Sequence, residues 1–267
     1  MRSPLCWRKE EFKIRAVEAL AALEVDYLEQ LAFIGERNRD GERWREAGVL
    51  LMLSCKGEQV TLLLNKRSDR VQQPGDLCCP GGTLHPLFDR LLHHLLHFKR
   101  GAAYHRAREQ GQHLFHWITF FLANAMREAW EEVRLNPFRL EFLGALPCYQ
   151  LLPFQRVIFP LVGWIGPGVR LRPNWEVERI LHVPLETFFE EDNYGLYSLA
   201  IPESYRGRIG GGNARAEFPC FVCLEEGREE VLWGATYHIV MSFLKAIFGF
   251  QPPEAGTRRV YGELYPS

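Results

Sequence analysis

Blocks of like charge, long apolar runs and an ordered cysteine framework are all missing from this 267-residue chain, and each absence removes a class of function. Lys+Arg number 32 against Asp+Glu 33, a net charge of −1, and no five or six like charges stand together. A nucleic-acid partner or a membrane surface therefore has no electrostatic support. The most apolar stretches, such as 114–125, are interrupted by polar residues and fall short of the ~20 residues a membrane span needs. The seven cysteines (Cys6, Cys55, Cys78, Cys79, Cys148, Cys220, Cys223) are odd in number and unevenly spaced, and no secretory signal precedes them. A reduced, cytoplasmic setting is expected rather than a disulfide scaffold. No repeat of 20 to 50 residues points to a solenoid. What is present, 47% hydrophobic and 24% charged residues, suits a globular chain with a real core. The length fits one decorated domain.

Residues 10–34 carry apolar side chains at helical spacing and predict an amphipathic extension, so 1–44 is read as an N-terminal helical region. Residues 48–54 and 60–64, split by Lys56-Gly57-Glu58, predict a β-hairpin that opens a main domain over 45–250. The segment Pro74-Gly75-Asp76-Leu77-Cys78-Cys79-Pro80-Gly81-Gly82 is too rich in proline and glycine for a helix and predicts a shaped loop. Residues 83–123 hold seven of the nine histidines with much Leu and Phe, and read as an inserted helical hairpin. Residues 124–133 predict a helix closed by Asn136-Pro137. Strands are expected at 142–146, 157–164 and 180–183, then at 218–224 and 230–232 around a turn at Gly227. A helix over 236–248 closes the domain, and 251–267 is read as a tail.

The chemistry is concentrated in Arg127-Glu128-Ala129-Trp130-Glu131-Glu132. Glutamates at i, i+3 and i+4 lie on one helix face, where like charges repel unless a cation sits among them. A hard divalent ion such as Mg²⁺ or Mn²⁺ would turn that repulsion into a binding site. A merely solvated acidic face is the simpler account of the six residues taken alone.

Their surroundings change the weighting. With Gly82 upstream and Leu135 downstream, the segment resembles a Nudix box, G-x5-E-x7-R-E-U-x-E-E-x-G-U. Gly82, Arg127, Glu128, Ala129, Glu131, Glu132 and Leu135 fill its slots. Gly82 to Arg127 spans 45 positions where the pattern has 14, so about 31 residues are inserted. The early acid has no aligned counterpart, Asp89 being one position off, and Arg134 stands at the late glycine. Before the box, Leu63-Leu64-Asn65-Lys66-Arg67-Ser68 and Pro74 to Gly82 resemble the L-L-x-x-R-S and P-G-x-x-x-F-P-G-G signature of the coenzyme A diphosphatase subfamily, with Cys79 at the Phe. The likeness runs from about residue 45 to 250.

That resemblance implies an α/β/α Nudix sandwich with a mixed sheet, carrying the N-terminal extension and the helical insertion. It implies hydrolysis of a diphosphate in a small nucleotide-type substrate, coenzyme A or acyl-CoA first. ADP-ribose, NADH or a nucleoside triphosphate are the alternatives within the superfamily, and a catalytically weak nucleotide-binding regulator is the alternative outside it. Glu128, Glu131 and Glu132 would hold Mg²⁺ or Mn²⁺, with the backbone around Gly81 and Gly82 completing a cradle. Arg127 would orient a glutamate. Glu132, Glu176 or Glu178 would take the proton from water. Lys66, Arg67 and Arg70 are candidates for a substrate phosphate or simply for solvent.

Two further patterns compete for a function. Cys220-x-x-Cys223 has zinc or redox spacing but stands alone, so two unligated thiols on one strand is the simpler expectation. The pairs His93/His97 and His113/His116 could ligate a metal, but the same helices carry an apolar load that must be covered by the domain or by a second copy in a homodimer. A lid over the substrate is the third reading of that insertion.

Overall fold

The computed structural model describes residues 9–201, 203, 214–254 and 258–263. Cys6 and the terminal residues 264–267 lie outside this set. The chain opens with two helices, α1 (Lys9–Ala21) and α2 (Tyr27–Arg39), where the periodicity predicts one extension. The break has a tertiary cause. The Asp26 carboxylate accepts the Cys148 N–H at 2.8 Å, and the buried Tyr27 hydroxyl donates to the Pro160 carbonyl at 2.8 Å, pinning the turn between the helices to the sheet.

The predicted hairpin is β1 (Arg45–Lys56) and β2 (Gln59–Arg67), antiparallel, turning through Gly57-Glu58 with Gly57 at φ 65°. Two short strands follow within the proline- and glycine-rich loop, β3 (Leu77–Cys78) on β2 and β4 (Gly81–Thr83) on β1. After the helices come β5 (Leu140–Ala145), β6 (Tyr149–Leu151), β7 (Arg156–Ile165) and β8 (Val177–Pro184). The main sheet runs β3-β2-β1-β7-β5, with β8 on β2 and β6 on β7. It is mixed, because β1 and β7 are parallel while β2, β5 and β8 run antiparallel to their neighbours. A second sheet, ordered β11-β10-β9-β12, is built from β9 (Tyr194–Ala200), β10 (Arg215–Glu225), β11 (Arg228–Trp233) and β12 (Arg259–Glu263). Residues read as a C-terminal tail thus include a strand, β12, parallel to β9. Helix α6 (Gly234–Phe248) follows β11 as the periodicity predicts.

The insertion holds α3 (Pro86–His97) and α4 (Ala102–Glu109), and then merges into α5 (Gln112–Val133). The helix predicted over 124–133 is therefore the last half of a longer rod, since no glycine or proline interrupts 112–133. One side of α3 faces α5 through Asp89, His93 and Leu96, all buried. His93 packs edge-on against His116 at 4.7 Å. The other side, Leu87, Phe88, Leu91, Leu95 and Phe98, is an exposed apolar ridge.

Helix α5 lies on β1 because Gly48 lets it approach. A Cβ at Gly48 would stand 2.6 Å from Asn124 Oδ1 and 2.7 Å from the Phe121 carbonyl. Behind that contact Phe121 stacks on Phe159, ring centres 3.8 Å apart, with Tyr27 edge-on to both. On the far side α1 sets Leu20, 1% exposed, against Gly144 in β5. The N-terminal helices are thus part of the core. Leu20→Ala is expected to lower the unfolding free energy by about 3 kcal/mol in urea denaturation; a loss near zero would show that α1 is only loosely attached.

Candidate active site

The carboxylate face of α5 meets the glycine loop at Gly82. A Cβ there would lie 2.4 Å from Glu128 Oε1, so only glycine lets the carboxylate rest on the β4 backbone. Arg127 organises this junction. Its guanidinium meets Asp89 Oδ1 at 2.7 Å, Glu128 Oε1 at 2.9 Å and Glu131 Oε2 at 3.0 Å, and donates to the Thr83 carbonyl at 3.0 Å. Asp89 is fully buried and also accepts the His85 N–H at 2.6 Å and the Asn124 amide at 3.1 Å. The 38 positions that separate Asp89 from Arg127 thus close on one ion pair.

Glu132 is separate from that network and 9% exposed. It accepts the Asn65 amide at 2.8 Å and, at the limit of a hydrogen bond, the Gly81 N–H at 3.4 Å. Burial pushes its carboxyl up to about 7, with Glu128 and Glu176 adding to the rise and Asn65 and Gly81 opposing it. Burial also raises the Glu128 carboxyl, against the pull of Arg127. Asn65 Oδ1 is buried with no hydrogen-bond partner among the described residues. In sequence Asn65 does not stand out from its motif neighbours; its one signal is an amide set directly after the apolar run Leu62-Leu63-Leu64.

Three carboxylates, Asp89, Glu128 and Glu131, thus meet one guanidinium, an excess of two negative charges, and the Glu132 carboxyl lies beside them. That excess, with an orphaned amide oxygen beside it, is the donor chemistry of a hard divalent cation. The glutamates do not converge on one point as they stand. Among the described residues no three His, Cys, Asp or Glu side chains form a ready metal cluster, a statement that covers the histidines and the cysteine pair as well.

The other expected residues are placed less centrally. Glu176 lies half-buried in the loop before β8, where its carbonyl accepts the Ser68 N–H at 2.8 Å. Lys66 is committed to Glu230 at 2.9 Å, with Glu178 at 4.0 Å, and Arg179 shares Glu230. Arg67 donates to the Gln72 carbonyl at 2.7 Å, and Arg70 is exposed. Cys220 and Cys223 are buried free thiols on β10, at positions that face opposite ways on a strand. Burial raises both, to about 11 and about 12, so neither is a ready thiolate.

No family model matches the chain. It is 28% identical over 163 residues, 60% of its length, to the peroxisomal coenzyme A diphosphatase of Mus musculus, and 27% identical over 198 residues, 73% of its length, to an uncharacterized Nudix hydrolase of Pectobacterium atrosepticum. Over these segments the chain is similar to Nudix hydrolases. The match spans 55% of the mouse protein and 79% of the bacterial one, so the chain covers little more than half the length of its mouse relative. A MutT/nudix family protein of Enterococcus faecalis aligns over 91% of this chain and 75% of its own at 12% identity and TM-score 0.40, which adds nothing to the strand order above. Nudix hydrolases act on phosphorus-containing anhydrides. Among the described residues, no helix is long and apolar enough to cross a membrane.

The Glu132 carboxyl gives this site a pH signature. Its pKa of about 7 in the fold lies above the ordinary 4.5, so the folded chain holds the proton more tightly than the unfolded one. Its contribution is present below 4.5 and is lost as pH rises through about 7, some 3 kcal/mol in all. In chelator, Glu132→Gln is expected to match the parent near pH 4, to exceed its unfolding free energy progressively up to about pH 7 and to hold that margin above it. A constant difference across that range would refute the assignment.

Proposed function

We propose that the chain is a divalent-cation-dependent diphosphatase acting on coenzyme A or acyl-CoA, yielding adenosine 3′,5′-bisphosphate and (acyl) 4′-phosphopantetheine. The observation that carries this reading is the excess of carboxylate packed against the Gly81-Gly82 backbone, reached through the Leu63 to Gly82 segment that resembles the coenzyme A diphosphatase signature. A dependence on divalent cations is general among Nudix hydrolases. Glu128, Glu131 and Glu132 would hold Mg²⁺ or Mn²⁺, which when bound neutralises charge developing on the phosphate oxygens.

The chain's own residues do the rest. Water adds to one phosphorus, the anhydride P–O bond breaks, and the second phosphate leaves with the electron pair. The proton from water goes to a carboxylate, and Glu132 and Glu176 are the candidates nearest each other. A carboxyl poised near neutrality suits that role. Arg127 acts by position, holding Glu128 and Glu131 in register with the loop while Asp89 anchors it from behind. Asn65 fixes the orientation of Glu132.

A second reading, nucleotide binding without turnover, is favoured by one observation: Arg127 already occupies Glu128 and Glu131. Incubation with Mg²⁺ or Mn²⁺ and coenzyme A, ADP-ribose, NADH and nucleoside triphosphates separates the two. Appearance of 4′-phosphopantetheine by mass spectrometry supports the coenzyme A reading. Cleavage confined to another substrate sinks it, and binding without cleavage supports the second reading. In an active protein, Glu131→Gln and Glu132→Gln should each lower kcat by about 10² or more with an unchanged circular dichroism spectrum. Asp89→Asn should lower kcat less, because it leaves the glutamates in place.

A further inference from the structure

The loop after β7 and the last turn of α5 flank an open surface cavity of about 560 Å³ that no step above uses. It is lined by Trp130, Arg134, Arg170, Arg172, Pro173 and Asn174. The loop is fastened to the helix, with the Arg172 N–H donating to the Val133 carbonyl at 2.8 Å and the Asn174 N–H to the Glu132 carbonyl at 2.7 Å. The cavity wall is therefore tied to the backbone of a site glutamate. Trp130 and Arg134 neighbour Glu131 on the outer helix surface, at i−1 and i+3.

Three features mark it as a site for something anionic and flat. The first is charge. Lys66, Arg127 and Arg179 each have a carboxylate partner, whereas Arg134, Arg170 and Arg172 have none among the described residues. Three uncompensated guanidiniums around one cavity form a fork-rich receptor for a phosphate dianion. The second is Trp130, 46% exposed in the last turn of a helix whose other large apolar groups are mostly covered. An open indole is a stacking platform for a base. The third is Arg134 itself. It ends α5 at φ 57°, ψ 31°, a left-handed conformation that disfavours a side chain, and it stands at the glycine slot of the box. Its guanidinium lies 5.8 Å from the Trp130 ring centre, within cation–π range. A strained backbone kept where glycine would relieve it points to a use for the side chain.

We propose that this cavity receives the phosphorylated nucleoside end of the substrate, the purine on Trp130 and a ribose phosphomonoester among Arg134, Arg170 and Arg172. This deepens the diphosphatase reading and rests on it for the orientation of the diphosphate toward Glu128, Glu131 and Glu132. Lys66 then needs no phosphate contact, since Glu230 already neutralises it. The cavity would make the protein select coenzyme A over its analogue lacking the 3′-phosphate.

Two measurements test this on the full chain. Calorimetric titration in chelator compares adenosine 3′,5′-bisphosphate, adenosine 5′-monophosphate and inorganic phosphate. The bisphosphate should bind about tenfold or more tighter than the monophosphate, inorganic phosphate should bind more weakly than either, and the Arg170→Ala/Arg172→Ala variant should lose the preference. Trp130→Ala should weaken both nucleotides alike. Kinetics with Mn²⁺ should show the same loss as a fall in the kcat/KM ratio of coenzyme A to dephospho-coenzyme A, carried by KM. Arg134→Gly should reduce discrimination without lowering the midpoint of unfolding, which separates lost recognition from lost folding. Discrimination unchanged in the double arginine variant, or absent in the parent, overturns the proposal. A parent that discriminates in binding yet cleaves no coenzyme A leaves the cavity standing and removes the diphosphatase reading; cleavage without discrimination does the reverse.

Discussion

The Arg127 guanidinium meets Asp89, Glu128, Glu131 and the Thr83 carbonyl within 2.7 to 3.0 Å, and so joins three pieces of chain that are distant in sequence. The glycine loop, the first turn of the insertion and the acidic helix all end on this one cation. Asp89 is wholly buried, so breaking the contact would leave a desolvated carboxylate without a counter-charge, a penalty of several kcal/mol. The loop, the helix and the insertion come together around Arg127, which fixes Glu128 and Glu131, while Asn65 and Gly81 hold Glu132 independently.

Much of this was legible because it is local. The β1–β2 hairpin follows from apolar runs around a glycine turn, and α6 follows from helical spacing. The acidic face of α5 is a matter of counting i, i+3 and i+4, and Gly82 stands where the motif needs the backbone to admit a carboxylate. The parts that were not legible depend on partners far away in the chain. Nothing near Asp26 announces that its carboxylate will take an N–H from Cys148, yet that bond helps split the N-terminal extension. The apolar patterning predicts no strand at β6, β9 or β12, nor at the short β3 and β4 within the glycine loop, and β12 gains its identity only by lying beside β9. Asp89 was visible only as an acid one position out of step, because thirty-odd intervening residues erase the spacing that normally identifies it.

Net charge concealed as much as it disclosed. A total of −1 excludes a uniformly basic surface, but the charges are sorted at short range, with carboxylate in excess on one side of α5 and unpaired guanidinium beside its last turn. Opposite potentials a few ångströms apart give a bound molecule a direction as well as an address.

The insertion also has a geometric property. Asp89 and Arg127 bracket it in sequence and touch in space, so the path through α3, α4 and the first half of α5 leaves and returns at the same point. The two ends coincide, yet the segment is not a mere appendage, because its last part carries Phe115, Ile118 and Phe121 into the core. Its inner face is thus bound by the packing of the whole domain, whereas the outer ridge of α3 is free to change under whatever pressure acts on the surface alone.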